Sequence, residues 1–150
     1  MTYLKTAITF ILAFVFLMAG GNKITDAIHK ETHDTLAGDM KSTFGPFWKK
    51  IAVDAKLPAD AVKVLIDDDG TYKTFLRNIG IVEVFCVVLL FSPMRTLSAG
   101  VLALIMAAAT YMHFALADNK APVTGVLLAF CILVMLPSQK PAPKIKAKRG

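Results

Sequence analysis

Four apolar runs occupy half of this 150-residue chain, and they constrain its fold more than any other feature. Residues 6–22 carry no charge, 78–94 carry only Glu83, 96–117 carry one histidine, and 121–139 carry none. A membrane-crossing helix needs about 20 mostly apolar residues, with a range of roughly 17–25. A water-soluble helix shows a polar stripe, and these runs show almost none. The expectation is an all-α fold: a four-helix transmembrane bundle over residues 1–139, with spans at 6–22, 78–94, 96–117 and 121–139. Run one also has features of a cleaved signal peptide, with Lys5 before it and Ala19-Gly20-Gly21 at its exit. Leu17 is a poor fit to the small residue wanted two positions before Ala19, so the run is taken as the first helix.

Short turns fix the neighbours. Ser92-Pro93-Met94-Arg95-Thr96 joins runs two and three, and Pro93 stops a helix, so those runs are antiparallel. Asp118-Asn119-Lys120-Ala121-Pro122 joins runs three and four, with Pro122 suited to a first helical turn. With four spans both termini share one side. Lys5, Arg95 and a basic tail at 140–150 place that side in the cytosol by the positive-inside rule. The long connection at 23–77 holds nine Lys/Arg and nine Asp/Glu, and is expected to be lumenal.

That connection has an amphipathic, helical pattern. Ile24, Ile28, Leu36, Met40 and Phe44 recur at steps of four or eight, a broad apolar face. Gly45-Pro46 interrupts it, and Phe47, Trp48, Ile51 and Val53 follow. The segment is expected to cap the bundle along the membrane surface. Leu36, Met40, Phe44, Phe47 and Trp48 form a candidate partner-docking face. Asp67-Asp68-Asp69-Gly70 is a turn. It is not an EF-hand, because Leu65 and Leu76 stand where ligands are required.

The candidate functional polar residues are Lys23, Glu83, His113 and Asp118. A carboxylate inside a span is costly, so Glu83 must be paired, protonated or turned to a cavity. Counting from Pro93, His113 lies about 15 Å further along its helix than Glu83. The expected arrangement is therefore a polar cluster at the lumenal mouth, formed by Asn22, Lys23, Arg77, Asn78, His113 and Asp118, with Glu83 deeper and alone. No catalytic, metal or cofactor residue is assigned. His29 and His33 share a helical face, but Lys30 stands where H-E-x-x-H requires Glu. Cys86 and Cys131 make no C-x-x-C redox pair.

The net charge of +6 does not mark a nucleic-acid binder, since five positive charges and no acid crowd into the last eleven residues. The chain ends Lys146-Ala147-Lys148-Arg149-Gly150. On a cytosolic tail this K-x-K-x-x pattern matches the dilysine retrieval signal for the endoplasmic reticulum. Lys146 and Lys148 would be read by coat proteins.

Gly20-x-x-Lys23-Ile24-Thr25 ends the first run, and Ile79-Gly80-x-x-Glu83-Val84-x-Cys86 opens the second. His113 and Asp118 close the third, and a dilysine-type tail ends the chain. In these residues the chain resembles the DoxX-like membrane proteins, and specifically the eukaryotic branch that includes a nicotinic acetylcholine receptor chaperone. The resemblance covers most of residues 10–130, with extra residues around Ala55 to Gly70. It implies a multi-pass endoplasmic reticulum membrane chaperone without a cofactor. Such a protein would promote the folding and assembly of oligomeric receptor or channel subunits such as nicotinic receptors, a role in ion channel biogenesis. Two alternatives belong to other classes. One is a DoxX-type quinone-linked membrane oxidoreductase subunit, with Glu83 or His113 relaying protons. The other is a small-lipid or sterol binder with a cavity near Glu83.

Overall fold

The computed structural model describes residues 2–65 and 72–137. The Asp67-Asp68-Asp69-Gly70 turn and the 140–150 tail with Lys146 and Lys148 lie outside the described residues. The chain is all-α. Helix α1 spans Thr2–Ile24, α2 Lys30–Asp39, α3 Gly45–Asp54, α4 Ala59–Leu65, α5 Lys73–Leu90, α6 Arg95–Leu116 and α7 Ala121–Met135, with a π-helical turn at Met40–Phe44 between α2 and α3.

The expectation of four membrane-crossing helices is corrected to two. Among the described residues, only Tyr3–Ile24 and Arg95–Leu116 are long and apolar enough to cross a membrane. The other two runs fall short for separate reasons. Run two loses its end to the turn after Leu90, and α5 instead reaches back to Lys73, so its 18 residues include Lys73, Arg77 and Glu83. Run four is cut at Leu136 before Pro137, which leaves α7 with 15 residues. At 1.5 Å per residue α7 is about 22 Å long, against a hydrocarbon layer of about 30 Å. An uncharged run is thus not the same length as the helix it contains.

The helices close into a ring, in which α1 packs on α5 and α7, and α6 packs on α5 and α7. Neighbours run antiparallel. Phe10 meets Phe91 at one end of the α1–α5 contact, at 5.3 Å between ring centroids, and Gly20 meets Gly80 towards the other. Thr110 donates to Thr124 across α6 and α7 at 3.0 Å. Lys5 Nζ donates to the Leu136 carbonyl, which brings the start of α1 to the end of α7. Leu12, Phe16, Leu90, Leu102, Cys131 and Val134 fill the ring, each 2% exposed or less.

Apolar side chains cover much of the outside of the molecule as well as filling its core. Its interior holds Thr9, Asn22, Glu83, Ser98 and His113 among the buried residues, while Phe14, Phe85, Val88, Leu104, Phe114 and Val126 are exposed. Large contiguous apolar surface marks contact with lipid or protein rather than water. Together with the two long apolar helices, it makes this a membrane-associated protein.

The connection between α1 and α5 forms a cap at one end of the ring. Its own core is Met40, Ala52, Val62, Tyr72 and Leu76, with Leu36, Phe44 and Trp48 packed against it. The π turn follows from Pro46. Proline has no N–H to extend the i→i−4 ladder, and the Gly45 N–H reaches back to the Met40 carbonyl.

Candidate functional site

Small residues set the geometry of the site. Gly20 on α1 and Gly80 on α5 face each other so closely that a Cβ on Gly80 would lie 2.6 Å from the Gly20 carbonyl oxygen and 2.8 Å from Lys23 Cβ. Small residues at a helix crossing allow the two backbones to approach. Lys23 and Glu83 each follow one of these glycines by three residues, on the same helical face. Helical side chains lean towards their own N-terminus, so in antiparallel helices the two lean towards each other at the level of the glycines. Lys23 Nζ donates to both Glu83 oxygens, at 2.6 and 2.5 Å. The Glu83 side chain is 1% exposed and that of Lys23 is 17% exposed.

Glu83 is therefore not alone, as residue counting along the helices had implied. Counting compares backbone heights, whereas the long Lys23 stem crosses from the mouth to the deeper carboxylate.

A second polar pair lies at the junction of α6 and α7. His113 Nδ1 and Asp118 Oδ2 are 2.6 Å apart. Asp118 Oδ1 accepts from the Lys120 N–H at 3.1 Å. Left-handed backbone at Ala117 and Asn119, φ 54° and 55°, folds the loop back to make this possible. Partial desolvation pushes the Asp118 carboxyl upwards, but the His113 hydrogen bond, the Lys120 N–H and the nearby His113 and Lys120 charges outweigh it and hold the group below its usual range. The cap touches this pair. The Phe44 ring packs edge-on against His113 at 5.5 Å, Lys120 Nζ lies 5.8 Å from the centre of Phe44, and Lys120 reaches Asp39 at 3.5 Å.

Between the two pairs lies a cavity of about 440 Å³. Lys23, Glu83 and His113 contribute its charged or ionisable wall, and Val15, Phe16, Ile105, Ala109 and Met112 contribute apolar wall from α1 and α6. The cap lines it with Leu36, Met40, Phe44 and Trp48. Four of the five residues of the candidate docking face thus turn inward. The fifth, Phe47, packs on Trp48 at 5.2 Å and on Tyr111 at 6.1 Å. Inward orientation could not be read from the apolar spacing, which identifies a face but not what covers it.

The remaining sequence candidates have local roles. His29 caps α2 by accepting from the Thr32 N–H at 3.2 Å. His33 Nδ1 lies 2.7 Å from the Asn22 carbonyl. Among the described residues no group of three His, Cys, Asp or Glu is placed to hold a metal. Cys86 and Cys131 are both buried and unpaired, and Ser98 Oγ donates to the Cys86 carbonyl at 2.6 Å. Residues missed by sequence reasoning are Ala109 and Met112, whose signal was only the small and flexible composition of run three.

No family model matches this chain, and no curated protein or solved structure matches it either. The resemblance to DoxX-like proteins is left without support from any relative, as are the chaperone and receptor-assembly roles it implied.

Proposed function

We propose that this protein binds a small apolar molecule of the membrane in the cavity beneath its cap. The observation that carries this reading is the coincidence of a 440 Å³ apolar chamber with polar groups held at fixed points of its wall. Ligand pockets are commonly apolar, of about 300–1,000 Å³, with a few placed polar groups. The cap covers one side of the site, and exposed apolar side chains surround it. The host membrane in this proposal is the endoplasmic reticulum, with both termini cytosolic. The contact between Lys5 and the Leu136 carbonyl is consistent with termini on one side, and coat proteins would read Lys146 and Lys148 in the tail.

Trp48 is the only tryptophan in the chain and lines the cavity, so it serves as a built-in reporter. Purified protein in nanodiscs, titrated with membrane-soluble apolar compounds, is expected to show a saturable change in Trp48 emission. Ala109→Phe fills the chamber and is expected to remove that change while leaving helical circular dichroism intact. A saturable response of equal affinity in the variant would refute binding at this site. Replacing Lys146 and Lys148 by alanine is expected to release the protein from the endoplasmic reticulum, and unchanged residence would refute retrieval through the tail.

A further inference from the structure

We infer that the end of the ring opposite the cap holds an anionic phospholipid, with its phosphate at Arg95 and an acyl chain along the groove between α6 and α7. This is a second site. It depends on the membrane association of the chain and is independent of the cavity beneath the cap.

The first observation is the partition of charge. All eleven acidic residues of the chain lie within positions 26–83 or at 118. Those of the cap are balanced, since residues 26–65 hold six Asp/Glu and six Lys/Arg. The opposite end has no acid. Its cations among the described residues are Lys5 on α1 and Arg95 at the start of α6. Lys5 donates to the Leu136 carbonyl. Arg95 is exposed, and among the described residues no carboxylate or carbonyl answers its guanidinium. Glu83, the nearest acid along the chain, lies about 10 Å back along α5 from Leu90 and is engaged by Lys23.

The second observation is where Arg95 sits. It lines a cleft of about 340 Å³ between α1 and the α5–α6 turn. The other polar side chains there are the hydroxyls of Thr6, Thr9, Ser92 and Thr96. Thr9 donates to the Lys5 carbonyl, and Ser92 to the Leu89 carbonyl. A guanidinium has five N–H donors and no acceptor. The wall thus offers positive charge and donors, which an anionic oxygen head satisfies, whereas a cationic head finds no carboxylate. Arginine's planar fork meets phosphate with paired N–H bonds. Arg95 also opens one of the two helices able to cross a membrane, and a cation at the end of such a helix lies at the headgroup level.

The third observation separates a lipid from a free anion. An apolar groove adjoins the cleft, and Pro93 and Thr96 line both. It runs between α6 and α7 past Leu97, Gly100, Leu104 and Ala107. Gly100 keeps it wide, because a Cβ there would already come within 3.6 Å of Met135. From Thr96 to Ala107 the helix rises about 16 Å, roughly half of the 30 Å hydrocarbon layer. An acyl chain whose phosphate sits at Arg95 therefore follows the groove through the depth of its own leaflet. A soluble anion would leave the groove unused.

The test uses the full chain in neutral detergent, with native mass spectrometry counting bound lipid. Dioctanoyl phosphatidylglycerol is expected to bind about fivefold more tightly than dioctanoyl phosphatidylcholine, the factor that one cation near an anionic surface supplies. Equal affinities would overturn the anionic choice. Arg95→Gln is expected to remove the preference. Lys50→Gln, which deletes an exposed cation of the cap, is expected to preserve it. Equal losses in these two variants would mean diffuse attraction and no cleft site. A third variant replaces the five basic residues of the 140–150 tail by glutamine. Loss of the preference there, with none in Arg95→Gln, would assign the lipid to the tail instead. Gly100→Leu narrows the groove and is expected to weaken phosphatidylglycerol binding at least threefold. Wild-type affinity in that variant, with displacement of the lipid by millimolar inorganic phosphate, would make the occupant a free anion and overturn the lipid assignment.

Discussion

At the scale of single residues, the Lys23–Glu83 pair has the largest energetic stake. Removing one member of a buried ion pair strands the other and costs about 3–5 kcal/mol, whereas replacing both by apolar residues is often neutral. Lys23→Met alone is therefore expected to lower thermal stability in detergent by that amount, and Lys23→Met with Glu83→Leu to recover most of it. Equal losses in the single and double variants would mean that the two residues are not coupled. Asp118 makes a different, pH-dependent contribution. Its folded-state pKa lies below the ordinary carboxylate value of about 3.9. The resulting stabilisation is fully present above the unfolded value and is lost as pH falls through the folded value. Melting temperatures from pH 7 to pH 3 should thus converge between wild type and Asp118→Asn at the acid end and separate above about pH 4. Parallel curves would show that Asp118 makes no such contribution. The Lys120–Asp39 contact is solvent-exposed, at 60% and 37% for the two side chains, and exposed pairs are worth about 0–1 kcal/mol. Asp39→Asn should barely move the melt.

At the scale of helices, two glycines of the same kind should respond with opposite signs. Alanine in place of glycine favours a helix by about 1 kcal/mol. At Gly38 in α2 a Cβ would meet nothing within 4 Å, so Gly38→Ala should stabilise by about that amount. At Gly80 the Cβ would press on the α1 backbone at 2.6 Å. Overpacking costs about 1–3 kcal/mol and exceeds the helix gain. Gly80→Ala should therefore destabilise, and by parting α1 from α5 it should also loosen the Lys23–Glu83 pair. Chemical denaturation of the two variants side by side checks the signs. This contrast also marks what was legible beforehand. Positions and antiparallel order of the long helices could be read from the apolar runs and from the turns at Pro93 and Pro122. Helix lengths could not, because apolarity continues through Phe91, Pro93 and Pro137 after the regular helix has stopped. Lys23 and Glu83 were both visible as polar exceptions near glycines. Their union was not, because it depends on side-chain lean across a crossing that only the folded backbone specifies. The cap's inward face was misplaced for the same reason: spacing at Leu36, Met40 and Phe44 defines a side of a helix, and the cavity beneath supplies its direction.

At the scale of the whole molecule, the apolar exterior makes a claim that a pair of substitutions can test. Leu104 is 73% exposed and lies near the middle of α6, and Val53 is 60% exposed on α3 in the cap. In a water-soluble protein both are ordinary surface positions, and a lysine at either would change stability by no more than about 0.5 kcal/mol. In a bilayer they differ. A lysine at the centre of a crossing helix costs about 2.5–3.5 kcal/mol on insertion scales, whereas the cap covers one end of the ring, where the ammonium can reach water. Leu104→Lys should thus sharply reduce the carbonate-resistant membrane fraction of expressed protein, and Val53→Lys should leave it near wild type. The pairing separates membrane depth from exposure, because the two positions are similarly uncovered in the isolated chain and only the surrounding medium distinguishes them. Equal tolerance at both, with protein remaining monodisperse in buffer free of detergent, would mean that the apolar exterior is covered by something other than lipid.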